Sequence, residues 1–209
     1  MMTKSFFKQN KQSGVTLVEM LVVVAIFVIV GLAISSFSRD IWVTSGILQS
    51  SLSAQIDAKN VLRQFAAEVR TAAQSNTGAY ALAEALQNSV KFYSDIDGDK
   101  NEEQVRYYLS ADGKTLYKDV LKPTGNPLQY SGAPSTATVI SNMANGAAPI
   151  FEYYDKNYDG ATTPLVQPIN VPDVRLIKIT VIIDSNPNRS PTPITVTTEV
   201  SMRNLKDNL

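Results

Sequence analysis

Three places in this 209-residue chain hold side chains whose types and spacing could do chemistry. The first is Glu19, five residues after Gly14 and the only charge between Val15 and Phe37. An ionised carboxylate at the head of an apolar run is costly in hydrocarbon, by up to a few kcal/mol, so it calls for a cationic partner. The second is "DIDGDKNEE", which sets Asp95, Asp97 and Asp99 at alternate positions with Glu102 and Glu103 close behind. The third is "DKNYDG", with Asp155, Asn157, Asp159 and Gly160. Oxygen ligands at alternate positions open the calcium loop of an EF-hand, so a hard cation such as calcium is what both stretches could hold. Neither completes that loop, because its twelfth position falls on Arg106 in one and Val166 in the other. The competing reading is a solvated turn, since Asp, Asn and Gly are turn residues in any case.

Much other chemistry is excluded. The chain has no cysteine and no histidine, which rules out disulfides, zinc sites of the Cys/His kind, and triads that need an imidazole or thiolate. It has no G-x-x-x-x-G-K phosphate loop and no G-x-S-x-G nucleophile elbow. The chain therefore reads as a non-enzyme. Nineteen basic and nineteen acidic residues cancel, so no overall field favours nucleic acid. Tyr107, Tyr108, Tyr153, Tyr154 and Tyr158 could form a stacking surface for bases or sugars. Paired tyrosines in strands put one ring in the core and one outside, however, and Arg106, Lys114 and Lys118 are balanced by Asp112 and Asp119. Core packing is the better account, and no specific nucleic-acid partner is expected.

The element that must position Glu19 is an apolar helix. Lys4, Lys8 and Lys11 precede it with no acid among them, and Met20 to Ile34 is wholly apolar or glycine. The segment from Val15 to Phe37 would rise about 35 Å as a helix, enough for a hydrocarbon core of about 30 Å. The lysines favour a cytoplasmic amino terminus and an exported remainder. A secretory signal peptide fits poorly, because the apolar stretch is too long and Ala33 and Ser35 make a poor cleavage site. A plain signal anchor fits the length but gives Glu19 nothing to do.

The stretch Lys11-Gln-Ser-Gly14, then Val15-Thr16-Leu17-Val18-Glu19, then the apolar helix, resembles the class III signal of type IV prepilins and pseudopilins. The resemblance is specific over roughly residues 8–40. It implies that a prepilin peptidase cuts between Gly14 and Val15 and methylates the new amino terminus at Val15. It also implies that Glu19 pairs with the amino terminus of a neighbouring subunit during filament assembly. Such a pair would offset the burial cost of each charge and fix the axial register between subunits. Val15 departs from the family's usual phenylalanine. The proline that many of these helices carry is absent, and Gly31 with Ser35-Ser36 occupies that neighbourhood.

Beyond Arg39 the apolar residues Ile41, Leu48, Leu52, Ile56, Leu62, Phe65 and Val69 keep a loose helical period, with no proline from Val15 to Thr71. One helix is expected from about Val15 to about Gln74, with Gly46 as its weakest point. Residues 15–75 thus form the long helix, 15–37 its transmembrane and assembly half, and 1–14 a removable basic leader. From residue 76 to 209 the texture is β. "VKFYSD", "QVRYYLS", "KTLYKDV" and "PIFEYYD" read as short strands, and Ala111-Asp112-Gly113 as a hairpin turn. "VRLIKITVIID" reads as a central strand. In "ITVTTEVSMR", Ile194, Val196, Val200 and Met202 face one way and Thr195, Thr197, Glu199 and Arg203 the other. The fold class is α+β: a long amino-terminal helix packed on an antiparallel sheet head, as the resemblance also implies.

The resulting expectation is a structural subunit of a type IV pilus or pseudopilus, nearer a minor pilin or larger pseudopilin than a major pilin. Its partners would be prepilin peptidase, other pilin or pseudopilin subunits, the inner-membrane assembly machinery and membrane lipid. It would sit in the bacterial inner membrane as a single-pass protein with its head outside the cytoplasm, then in a surface filament. No cofactor is required, with calcium at Asp95, Asp97 and Asp99, or at Asp155, Asn157 and Asp159, as the candidate. The rival is a signal-anchored binding module that does not polymerise, and cleavage at Gly14 separates the two.

Overall fold

The computed structural model describes residues 14–185 and 193–202. The basic leader before Gly14, with Lys4, Lys8 and Lys11, lies outside the described residues, as do Arg203 and the carboxy-terminal stretch after it. By their internal contacts the residues divide into two compact units, Met1–Gly46 and Ile47–Leu209.

A single helix, α1, runs Leu17–Arg70. Its amino-terminal portion is rich in Val and Ile, which are weak helix formers in water. Hydrocarbon reverses that preference, because a helix satisfies every backbone amide internally. From Gly14 to Gly46 every side chain is exposed. This part of α1 is long and apolar enough to cross a membrane. Ser35 and Ser36 return their hydroxyls to the carbonyls of Gly31 and Ala33, at 2.8 and 2.9 Å, and so leave no bare donor on the apolar surface.

α1 ends four residues earlier than expected. The Ala72 amide tightens to the carbonyl of Val69, and the next amide, Ala73, leaves the helix for the carbonyl of Tyr93. A strand of the head captures the chain before the helical pattern is exhausted.

The head has two antiparallel sheets where one was expected. The first is a five-stranded meander: β1 (Leu82–Ala85), β2 (Ser89–Ser94), β3 (Glu103–Leu109), β4 (Thr115–Leu121) and β5 (Ser135–Ser141). The second joins β6 (Phe151–Tyr154), β7 (Leu176–Ile183) and β8 (Ile194–Ser201), with β7 central. Between them the chain after β5 meets β7 through one backbone bridge, Met143 to Ile183, and through the side chain of Asn145. Asn145 donates from Nδ2 to the Thr180 carbonyl at 2.9 Å and accepts the Ile182 amide on Oδ1 at 2.8 Å. The β3–β4 hairpin turns where expected, with Gly113 at φ +71.

The core lies where α1 meets both sheets. Ala58, Leu62, Phe65 and Val69 are buried on α1, facing Val90 and Phe92 of β2, Val105 and Tyr107 of β3, and Ile177 and Ile179 of β7. Phe65 joins the two sheets. Its ring meets Tyr107 at 5.1 Å and Phe92 at 6.2 Å edge-on, and Phe151 of β6 at 5.8 Å. The expected helix face is corrected in part. Leu48, Leu52 and Ile56 are exposed, and the packed face begins instead at Ala54 and Ala58. Small alanines let the helix backbone approach the sheet, whereas a periodic apolar stripe does not reveal where that approach starts.

β8 alternates as expected through Met202. β7 buries Ile177, Ile179, Val181 and Ile183 fully and leaves Leu176 and Ile182 half-buried. The tyrosine pairs divide differently. Tyr107 is buried and Tyr108 half-buried, but Tyr153 and Tyr154 are both buried. The loop after β6 folds back, so that the ring of Tyr158 lies 4.2 Å from that of Tyr154.

Candidate functional site

At the amino-terminal end of α1, residues 14–16 are not helical and Thr16 caps the helix. Its Oγ1 accepts the Glu19 amide at 3.3 Å, and its carbonyl accepts the Met20 amide at 3.1 Å. Thr16 at the cap with Glu19 three positions on is the capping-box pattern, a local signal in the sequence additional to the apolar run and its one charge. Glu19 therefore sits in the first helical turn, where the helix dipole favours a negative charge. A Cβ added at Gly14 would meet nothing within 4 Å. Among the described residues, packing does not itself require a glycine there.

The second site is the β2–β3 loop. It brings Asp95, Asp97 and Asp99 together, with one carboxylate oxygen from each within 4.8 Å of the other two. Asp95 accepts the amides of Gly98 and Lys100, at 2.7 and 3.0 Å, through its two oxygens. Asp97 accepts the Asp99 amide at 3.2 Å, and Asp99 the Asn101 amide at 2.7 Å. Lys100 holds φ +70, a left-handed conformation that a side chain disfavours. Lys122, just past β4, places its ammonium against Asp97. This hydrogen bond holds the Asp97 carboxyl below its ordinary value and the Lys122 ammonium above its own.

Two glutamates, Glu102 and Glu103, flank the same loop. Glu103, the first residue of β3, is 1 % exposed, and its Oε2 accepts the amide of Ile96, between the first two aspartates, at 3.0 Å. Its Oε1 is buried with no hydrogen-bond partner, and so is Oε2 of Glu102. Burial pushes both carboxyls above the ordinary glutamate value, and neighbouring aspartates push further: Asp97 and Asp99 at Glu103, Asp95 at Glu102. No local spacing rule finds Glu103 as a buried group; only the pairing of Ser94 with Glu103 across the two strands brings it beneath the loop.

The loop holding Asp155, Asn157 and Asp159 is built otherwise. Asp155 accepts the Asn157 amide and side chain, at 2.9 and 3.0 Å. Asp159 accepts the amides of Ala161 and Thr162 and the Thr162 hydroxyl, at 2.9, 2.9 and 2.6 Å. The Thr162 hydroxyl keeps Asp159 below its ordinary value. Each aspartate here is spent on its own turn.

A model of the prokaryotic N-terminal methylation motif matches residues 9–35. No curated protein and no solved structure matches the chain. The matched segment takes in Gly14, the Thr16 cap, Glu19 and the apolar turns that follow, and a head of antiparallel sheets stands after the helix it opens. That signal, and the long helix with the sheets that follow it, are consistent with a type IV pilin-like precursor.

Proposed function

We propose that the chain is a structural, non-catalytic subunit of a type IV pilus or pseudopilus, assembled through its amino-terminal helix. Prepilin peptidase cuts between Gly14 and Val15 and methylates Val15. The processed subunit then waits in the bacterial inner membrane with its head outside the cytoplasm. The inner-membrane assembly machinery packs it against other pilin or pseudopilin subunits, where Glu19 receives the amino terminus of a neighbour.

The observation that carries this reading is the position of Glu19. It is the one charge on an exposed apolar helix from Val15 to Phe37, and it lies within a turn of the amino group that cleavage would create. A carboxylate so placed is costly in lipid unless a cation meets it. The open space around Gly14 supports the processing step, since the lack of a side chain there answers no packing need among the described residues.

Intact-mass measurement of the native protein tests the reading. The expected species begins at Val15 and carries one added methyl, and a bulky residue at position 14 leaves the full-length form in the membrane. A native protein that keeps residues 1–14 in a cell with active prepilin peptidase overturns it.

A further inference from the structure

We propose that Asn145-Gly146 is a latent deamidation site, which the folded head holds off through β7 and which marks irreversibly any head that fails to close there. The dipeptide Asn-Gly occurs once in the chain. Its deamidation needs only water. The Gly146 amide nitrogen attacks Cγ of Asn145 and gives up its proton, the new N–C bond closes a five-membered succinimide, and the side-chain nitrogen leaves as ammonia. Water then opens the ring at one carbonyl or the other, giving aspartate or isoaspartate. Glycine favours the closure because no Cβ crowds the attacking nitrogen.

The fold demands both residues. Asn145 is 5 % exposed, and both ends of its amide are used, Nδ2 on the Thr180 carbonyl and Oδ1 on the Ile182 amide. Aspartate has the acceptor without the donor, and glutamine is a methylene too long. The Ala148 amide returns to the Asn145 carbonyl at 2.9 Å, and Gly146 inside that turn holds φ +58, a left-handed value that favours glycine. A labile dipeptide thus stands where its loss does most harm.

The same bonds protect it. Ring closure expels the nitrogen that Thr180 holds, so the side chain must first come off β7. Around it the Ala144 amide meets the Ile182 carbonyl at 2.7 Å, the Asp184 amide meets the Asn142 carbonyl at 2.9 Å, and Met143 bridges Ile183. The side chain is therefore freed when this stretch opens as a unit, and the native rate is the unfolded rate multiplied by the open fraction. The product cannot return. Aspartate at 145 sets a carboxylate oxygen against the Thr180 carbonyl, two acceptors with no proton between them, in a buried place. Isoaspartate also lengthens the main chain by one carbon, which carries Ala144 and Gly146 out of register.

Peptide mapping with isoaspartate detection tests this on the full-length chain in non-ionic micelles, at mildly alkaline pH, with and without guanidinium chloride. In denaturant Asn145 should deamidate well ahead of Asn142, which precedes a methionine and serves as the internal reference. Without denaturant it should react at least about a hundredfold more slowly, because opening of a packed strand joint is rare. After denaturant is removed, the fraction of chains regaining native near-UV circular dichroism should match the fraction with intact Asn145. Asn145→Asp should melt several degrees below the parent or fail to fold, whereas Asn142→Asp adds the same charge three residues away on an exposed position and should melt as the parent does. The proposal is overturned by equal rates at Asn145 with and without denaturant, by an Asn145 no faster than Asn142 in denaturant, by deamidated chains that refold as the parent does, or by an Asn145→Asp chain that melts like the parent or like Asn142→Asp.

Discussion

The carboxylate of Glu68 on α1 and the ammonium of Lys118 on β4 meet at 2.5 Å inside the head, with side chains only 9 % and 8 % exposed. Tyr107 donates its hydroxyl to the other Glu68 oxygen at 2.8 Å, and Gln64 donates to the first, also at 2.8 Å. The Tyr107 hydroxyl is held far above its ordinary titration range, by burial first and then by the Glu68 charge, so it stays a donor at any physiological pH. This network fixes the helix against the sheet at one rotational setting, because a slip of one residue would strand two charges in the core.

Removing one partner should therefore cost more than removing both charges. Lys118→Met leaves Glu68 buried without its counter-charge and should destabilise the head by about 3–5 kcal/mol. Adding Glu68→Gln removes the orphan charge while keeping an acceptor for Tyr107, and should recover a substantial part of that loss. Denaturant titration of the two single variants and the double variant measures the coupling. Additive losses would mean that the pair does not act as a unit.

Phe65 should be the most sensitive apolar position on the helix. It is fully buried and touches rings from both sheets, so Phe65→Ala both opens a cavity and removes the joint between them. A loss of about 3–5 kcal/mol is expected. Leu52→Ala, on the exposed face of the same helix, should change stability by less than about 0.5 kcal/mol. Thermal unfolding of the two variants beside the parent makes the comparison.

How much of this was legible in the sequence depends on how local each cause is. The helix start to within two residues, Glu19 and the Asp112-Gly113 hairpin rest on residues within a few positions of one another, and so are legible in the sequence. The burial of Tyr154 depends on a loop that returns to lay Tyr158 on it. The contact of the chain between the two sheets with β7 runs in part through Asn145, whose side chain reaches Thr180, thirty-five residues on in the chain. The Glu68–Lys118 pair joins residues fifty apart. None of these has a period or a spacing to read. The acidic loop is intermediate: its three aspartates were visible, but Glu103 as a buried member was not, since burial is a property of the folded head.

The buried glutamates give the head a characteristic pH dependence. Glu103 and Glu102 both hold their protons more tightly in the folded head than a free glutamate does. Folding is thus favoured most while they are protonated, below the ordinary glutamate value. That stability is lost as the pH rises through their raised folded values. Asp97, Asp112 and Asp159 are shifted the other way, and their contribution is lost only as the pH falls below the ordinary aspartate range, so the two windows separate. Melting temperature against pH, with chelator present, should fall as the pH rises from about 4 to neutrality, where glutamates titrate. Glu103→Gln should flatten most of that slope. A slope identical to the parent's would place its origin elsewhere.

The capping geometry sharpens what Glu19 is expected to do. In the first helical turn a glutamate can serve its own helix, by facing the dipole and the amides that Thr16 helps to cap, or it can serve a neighbour's amino terminus. The two roles separate by variant. Thr16→Val keeps the side-chain volume and removes the hydroxyl acceptor, weakening the helix start by about 0.5–2 kcal/mol without touching the charge. Glu19→Gln keeps the size and polarity and removes only the charge, and a neutral amide cannot balance a buried ammonium. All variants should insert and be cleaved, because the apolar helix and Gly14 are intact, and Glu19→Ala should sit more easily in lipid. Quantified in sheared filaments against membrane fractions, Glu19→Gln and Glu19→Ala should both collect in the membrane and be nearly absent from filaments, while Thr16→Val should be reduced only mildly. If Glu19→Gln instead enters filaments as the parent does and Thr16→Val does not, the carboxylate is a helix cap and the pairing between subunits is wrong.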